Sequence, residues 1–459
     1  MKKVCPLFFV VLPLFVMAFS TIFTTNAQSS ITIFLPFVAR PIEPNYELRG
    51  IWLTRYDWTS LFSPESPADI DAMVQNIADA GFNAIFFQVR SEADAYYNSS
   101  LEPWSRRLAG TLGVNPGWDP LARMIEQAHA RNIQVHAYVN VYTLWSDLNV
   151  NGVNCDDLPL ETAVPQPLFY QMQNQHGTTS SLPGLIKLNG AQWDTNNQIV
   201  CADGYVWATP ASSFFNDHMV AVAKEIVNNY DVDGLHLDRI RYGADGANAS
   251  CDPVSAAVSG TACFDNANPP AGYATYGDWQ RDQINKLLAR IYNEAVLPAS
   301  RPVMLSAAVW PIHELDPSWT NFSGSPQQGN IHYYQDSKAW LTNGIIDGIA
   351  PMIYPALYGS CDSGGNYVQG NDYWTRDRWQ TLVTDYVANS NGRFITPGIG
   401  GNYCDFAEIE ARINMARTIG AAGHVIFSYR HLNNHAYFDD LKNGPYTETA
   451  VPPVMNWRP

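Results

Sequence analysis

The sequence is short of positive charge, of metal-type cysteine motifs and of uninterrupted apolar runs, and each shortage closes off a class of function. Lys and Arg number 27 against 43 Asp and Glu, a formal charge of −16; no nucleic-acid partner is expected, because such partners are held on basic patches. Charged residues make up only 15%, while 46% are hydrophobic and 13% aromatic, so a large core is expected rather than disorder. The seven cysteines include no CxxC pair and no accompanying His pattern, so neither a zinc centre nor any cofactor is implied. No GxGxxG follows a strand pattern and no GxSxG elbow is present, which weighs against a dinucleotide fold and against Ser-His-Asp hydrolysis. Beyond the N-terminus, no apolar stretch free of charges and turn residues reaches the roughly 20 residues that span a bilayer.

The N-terminus itself has the pattern of an export signal. Lys2 and Lys3 precede an apolar stretch from Val4 to Phe23, and Ala27 offers a small residue for cleavage. Residues 1–27 therefore read as a signal peptide, with an uncleaved anchor as the alternative, and residues 28–45 as a Pro-containing linker. Removing the signal removes Cys5. The remaining six, Cys155, Cys201, Cys251, Cys263, Cys361 and Cys404, are an even set, which in an exported protein favours disulfides.

From residue 46 to 435 strand-like and helix-like patterns alternate. Eight strands read at 49–55, 83–90, 134–142, 233–242, 303–310, 347–355, 394–401 and 423–430. Helices open at Ser66-Pro67, with Asp69 completing a capping box, at Asp119-Pro120, and at Asp405 with Glu408 as a further box. Eight such units predict an α/β chain folded as a closed (β/α)8 TIM barrel, followed by a tail at 436–459. An open doubly wound sheet is the alternative. The excess length falls in the loops after strands three, four and six, on the C-terminal face where barrel enzymes work. All six cysteines lie in those loops or in the one after strand seven, which suggests the pairs 155 with 201, 251 with 263, and 361 with 404.

Alternation along the strands selects the candidate site. In DGLHLDRIRY, Leu235 and Leu237 take one face and His236 and Asp238 the other, so a carboxylate is placed inward at a strand end. Such an Asp is either neutralised by a partner or kept for chemistry; Arg239 and Arg241 lie close, but alternation points them away. Gln88 and Arg90 on strand two, His136, Tyr138, Asn140 and Tyr142 on strand three, Trp310 on strand five and Tyr354 on strand six would complete a polar and aromatic mouth suited to a sugar. His136 reads as a core histidine.

These segments also carry a resemblance. ELRGIWLTRYDW (47–58), FNAIFFQVRSEADAYYNSSLEPWSRRLAGTLGVNPGWDPL (82–121), HARNIQVHAYVNVY (129–142) and YDVDGLHLDRIRY (230–242) resemble the bacterial glycosyl hydrolase-like 10 family, and DGIAPMIYP does so weakly. The resemblance implies a TIM-barrel glycosidase, secreted or envelope-associated, acting on peptidoglycan glycan strands that lack stem peptides. It points to Gln88, Arg90, Asp94, Asn140, His236 and Asp238. The chain departs from the family at Arg239, where a second Asp is common, and at Met352, where a Gln is.

Glycoside hydrolysis usually needs two carboxyl groups. Asp238 is expected to be one. For its partner Asp94 ranks first and Glu314 second, with Glu92 and Asp316 also within reach of the mouth; Glu92 is otherwise expected to bind substrate. Arg90 and Asn140 would orient the substrate, Arg90 by a bidentate fork onto a glycan carboxylate. The expected partner is thus a polysaccharide or oligosaccharide, with no protein partner. A catalytically silent polysaccharide-binding barrel is the rival reading, and a metal-dependent deacetylase a weaker one.

Overall fold

The computed structural model describes residues 45–60, 65–146, 158–182, 185–243, 249–355 and 361–458. The expected signal peptide, nearly all of the linker, and Cys155 lie outside them.

Eight parallel strands form the frame: β1 Leu48–Leu53, β2 Ala84–Arg90, β3 Gln134–Asn140, β4 Gly234–Asp238, β5 Met304–Val309, β6 Gly348–Pro351, β7 in two parts, Phe394–Ile395 and Gly398–Gly400, and β8 Gly423–Phe427. Neighbours in sequence are neighbours in the sheet, and β1 pairs with β8. The break in β7 is local. Pro397 has no N–H to give, yet Thr396 N bonds Ile349 O of β6 at 3.0 Å and Val425 N of β8 bonds Pro397 O at 3.1 Å. The first half of β7 thus holds β6, the second half holds β8, and the ring closes.

Helices follow the strands: α1 Pro67–Ala80, α2 Pro120–His129, α3 Ser213–Asn229, α4 Tyr276–Ile291, α5 Ser337–Thr342, α6 Arg376–Ala388, α7 Phe406–Ile419 and α8 Phe438–Asn443. Helix α1 starts on the Ser66/Asp69 capping box and ends at Gly81 with φ 91°, a left-handed stop that glycine adopts without strain. Asp119 opens α2 by accepting Ala122 N. At α7 the expected box does not form: Asp405 accepts Ala407 N, while the Glu408 carboxylate is drawn away by Arg376 and Arg412.

Two apolar clusters follow from strand alternation. Ile85, Phe87, Val135, Ala137, Val139, Leu235 and Leu237 pack outward against the helices, and Trp52, Phe86, Tyr138, Ala308, Ala350 and Val425 fill the interior. Interior space is tight enough to dictate a glycine. A Cβ on Gly234 would stand 2.1 Å from His136 Nδ1, so only glycine lets that buried ring lie across β4. Burial lowers the His136 pKa to about 4, as a core role requires.

The tail beyond residue 435 belongs to the barrel. Helix α8 packs on α1, Val451 bridges to Tyr46, and Trp457 and Arg458 close on Asp347 beneath β6.

Candidate active site

Strand β4 ends at Asp238 because Arg239 takes φ 52°, a left-handed value that a strand does not hold. The turn fixes the acid. Its Oδ2 accepts the Tyr138 hydroxyl at 2.6 Å, across from β3, and its Oδ1 accepts the backbone N–H of Arg239 at 2.6 Å. Burial, and then Asp238 itself, push the Tyr138 phenol well above its ordinary pKa, so Tyr138 remains a donor. Asp238 is 9% exposed, which leaves it an opening to the mouth.

Among the described residues no cation pairs with Asp238. The nearby guanidinium groups go elsewhere: Arg239 Nη1 and Arg241 Nη2 lie 2.6 and 3.4 Å from Asp203 Oδ2. Asp203 stands at the tip of a hairpin in the loop after β3, formed by Cys201–Ala202 and Tyr205–Trp207. Asp203 and Gly204 both have positive φ, 54° and 76°, the arrangement that two-residue hairpins prefer. Arg239 then lies 4.6 Å over the Tyr205 ring, and Arg241 sits among Trp207, Trp310 and Tyr333.

The residues after β2 divide into a scaffold and one perturbed acid. Gln88 accepts the backbone N–H of Arg55 at 2.9 Å and donates to Asn140 Oδ1 at 3.3 Å, and Asn140 donates to Ser91 O; the two amides thus tie the ends of β2 and β3. Asp94 is fully buried and its Oδ1 accepts from Ser91 Oγ and Glu92 N at 2.7 and 2.9 Å, which makes it a turn former. Glu92, 2% exposed, is held by Arg106 at 3.0 Å. Burial, then the neighbouring Asp94, push its carboxyl up to about 7 against the pull of Arg106 and Arg55. Arg55 in turn bonds Tyr205, whose ring carries Arg239. Arg55 thus acts electrostatically on Glu92 and touches the ring that carries the residue beside Asp238.

Two expected binding residues face the wrong way. A register shift in β2 between Gln88 and Arg90 breaks the alternation, and Arg90 turns outward. Its fork is filled by Glu102 at 2.9 to 3.0 Å, which His218 of α3 also contacts, so the expected clamp on a glycan carboxylate is an internal ion pair. Tyr142 lies beyond the end of β3 and stacks on Phe215 of α3, fully buried. His236 does point inward, one layer below Asp238, but is enclosed: Trp52 Nε1 donates to its Nε2 at 3.1 Å and its Nδ1 meets Ser306 Oγ at 2.8 Å. Burial holds its pKa well below the ordinary value, so the ring is neutral and supports the floor of the site.

Tyr354 and Trp310 reach the mouth. Tyr354 stacks on Phe427 at 4.8 Å and stands over Gly398, where a Cβ would meet its ring at 2.8 Å. Trp310 packs against Tyr333, tilted at 34° with ring centroids 4.1 Å apart, and donates to Gln327 O. Glu314 is solvent-exposed and accepts from Asn330. Tyr138 was expected to line the mouth but not to hold the acid, and Asp203 and Tyr205 were not among the expected site residues. The inward register of Tyr138 was visible in β3, whereas the hairpin carrying the other two is a loop contact with no period to betray it.

Among the described residues no His, Cys, Asp and Glu cluster could hold a metal. Disulfides join Cys251 to Cys263 and Cys361 to Cys404. Cys201 is also disulfide-bonded; its expected partner, Cys155, lies outside the described residues.

The sequence profile of the glycosyl hydrolase-like 10 family matches residues 47–393. The glycosyl hydrolase YngK of Bacillus subtilis is 26% identical over 449 residues, covering 93% of this chain and 76% of YngK. The glycosyl hydrolase DigH of Escherichia coli K12 is 27% identical over 325 residues, covering 67% of this chain and 65% of DigH. Among solved structures, the PgaB (BpsB) glycoside hydrolase domain of Bordetella bronchiseptica superposes with a TM-score of 0.55 at 13% identity, over 86% of this chain and 98% of that domain. An α-L-fucosidase of Paenibacillus thiaminolyticus gives 0.50 at 16%, over 87% of this chain and 49% of the fucosidase. At such identities the two structures attest the barrel fold alone.

Proposed function

The chain belongs to the glycosyl hydrolase-like 10 family, and from that premise we propose that it is an exported glycoside hydrolase that cleaves peptidoglycan glycan strands lacking stem peptides, with Asp238 and Glu92 as its two carboxyl groups. The observation that carries the assignment of Asp238 is its place at a barrel-strand end, where two hydrogen bonds aim it and the nearby Arg239 and Arg241 pair with Asp203 instead of with it. An anionic carboxylate there supports an oxocarbenium-like transition state, as nucleophile or as electrostatic partner. Glu92 replaces Asp94 and Glu314 as the acid. Asp94 is wholly buried with its Oδ1 committed to its turn and Glu314 lies in solvent, while Glu92 keeps its proton near neutrality, as a group that protonates a leaving oxygen must.

The substrate class is supported by the family and by the aromatic rings of the mouth, which suit pyranose faces. Export is supported by the apolar N-terminal pattern and the bridged cysteines; no helix among the described residues is long and apolar enough to cross a membrane. The test is mass spectrometry of products from defined glycans, peptide-free peptidoglycan strands included, incubated with wild type and Asp238→Asn. Cleavage of those strands by wild type and not by the variant is the expected result. Binding without cleavage by wild type would instead favour a silent polysaccharide-binding barrel.

A further inference from the structure

A cavity of about 350 Å3 opens between the loops after β5 and β6, with Trp310, Ser323, Ser325, Tyr373 and Trp374 in its lining. It adjoins the catalytic strand end. Ala307 of β5 pairs with Leu237, so Ala308 is level with Asp238 and Trp310 stands one strand over and two residues further up. That offset is about 5 Å sideways and about 7 Å along the strand direction.

Of the aromatic walls Tyr373 is exposed and Trp310 and Trp374 are half-buried, and Tyr373 and Trp310 are pinned. Tyr373 is 40% exposed, and the Arg378 guanidinium of α6 lies 4.5 Å over its ring while donating to Tyr373 O at 2.8 Å. Arg378 also donates to Asn321 O at 2.7 Å, and Asn321 donates to Asp377, so both loops are anchored to the start of α6. On the other side of Tyr373, Asp372 is buried and bound by Arg412 at 3.0 Å. Trp310 is held by its tilted packing on Tyr333 and its bond to Gln327. Exposed aromatic surface ordinarily marks a binding site, and surface fixed in advance loses little entropy on binding.

We propose that this cavity is a glycan subsite, in which Trp310, Tyr373 and Trp374 receive the apolar faces of a pyranose while Ser323 and Ser325 bond its hydroxyls. It extends the catalytic mouth and takes a sugar unit of the same chain beyond the cleaved bond. The inference rests on the glycosidase reading of the mouth. Its test is therefore arranged so that binding and turnover are read separately.

Calorimetric titration of full-length Asp238→Asn with dimers and hexamers of β-1,4-linked N-acetylglucosamine, and with di- and hexasaccharide fragments of peptide-free peptidoglycan, measures the gain in affinity with length. For at least one series the hexamer binds more tightly. Adding Tyr373→Ala lowers the hexamer-to-dimer affinity ratio about tenfold, and Tyr373→Phe retains it. Ser325→Tyr, which fills the cavity and leaves Tyr373 in place, lowers it likewise. No gain with length in either series, or a ratio that none of these variants alters, would overturn the subsite. Absence of cleavage by wild type alongside an intact length effect would reject the hydrolase reading and leave the subsite standing.

Discussion

The Tyr138 hydroxyl lies 2.6 Å from Asp238 Oδ2 and joins two adjacent strands at the barrel mouth. A hydrogen bond to a charged group is worth about 1.5–3 kcal/mol, so this contact both aims the carboxylate and stabilises it. Asp238→Asn is expected to lower kcat about a thousandfold or more, with thermal stability and glycan affinity largely kept, since shape is preserved and charge is lost. Tyr138→Phe is expected to lower kcat by about ten- to a hundredfold. Steady-state kinetics on glycan strands with parallel melting curves decide this: an unchanged rate in Asp238→Asn would falsify the assignment.

Glu92 predicts the alkaline side of the pH profile. An acid with its pKa raised to about 7 donates below that value and is spent above it, so activity is expected to fall as pH rises through about 7. Arg106 works against the shift. Replacing it by Met removes a charge that favours the ionised form, and the alkaline limb is expected to move to higher pH. Glu92→Gln is expected to abolish most activity and, with it, that limb. Profiles of kcat/KM for the three proteins check the order, and a limb unmoved in Arg106→Met would remove Glu92 from the mechanism.

The frame of the barrel was legible because paired strands obey a two-residue period, and all eight strands were read within a few residues of their observed starts. Except in β2, which ends at Arg90 as expected, their C-terminal ends were read too long. Past Asp238 the backbone turns to φ 52°, past Gln88 the register of β2 shifts, and past Asn140 the chain leaves the sheet. The period stops where the site begins. Arg90 and Tyr142 were aimed inward by an alternation that no longer applied to them, whereas Asp238, Gln88 and Asn140 fell within it. The preference proposed for Glu92 over Asp94 was not legible, because it depends on how the two carboxylates are buried and charged in the folded turn. Nor was the hairpin that presents Asp203 to both arginines, a contact set by loop folding rather than by any repeat.

The bridges predict a mouth that loosens before the core does. Cys251–Cys263 closes a segment of the loop after β4, and Cys361–Cys404 ties the loop after β6 to the end of β7; neither crosses the barrel. Oxidised protein is expected to show no alkylatable thiol among residues 155–404, and mild reduction to cost activity at temperatures where far-UV dichroism is unchanged. Non-reducing peptide mapping and paired activity and melting measurements test both statements. A bridge between the loops after β3 and β7, or simultaneous loss of activity and fold, would contradict them.

The strongest stability prediction lies at the opposite end of the barrel. Asp347, fully buried at the start of β6, accepts Leu305 N at 2.8 Å, Tyr292 Oη at 3.0 Å and Trp457 Nε1 at 2.9 Å, and pairs with Arg458. Arg458 also donates to Val303 O at 2.6 Å. Of these partners only Arg458 carries charge. Arg458→Ala would leave a carboxylate buried without its counter-ion, a change that costs about 3–5 kcal/mol, whereas Asp347→Asn with Arg458→Ala removes both charges and is expected to cost far less. Urea denaturation of the two single variants and the double variant measures the difference. Additive losses would mean that Asp347 and Arg458 stabilise the fold independently; a double variant more stable than Arg458→Ala alone would identify the C-terminal tail as the counter-ion that permits a charge beneath β6.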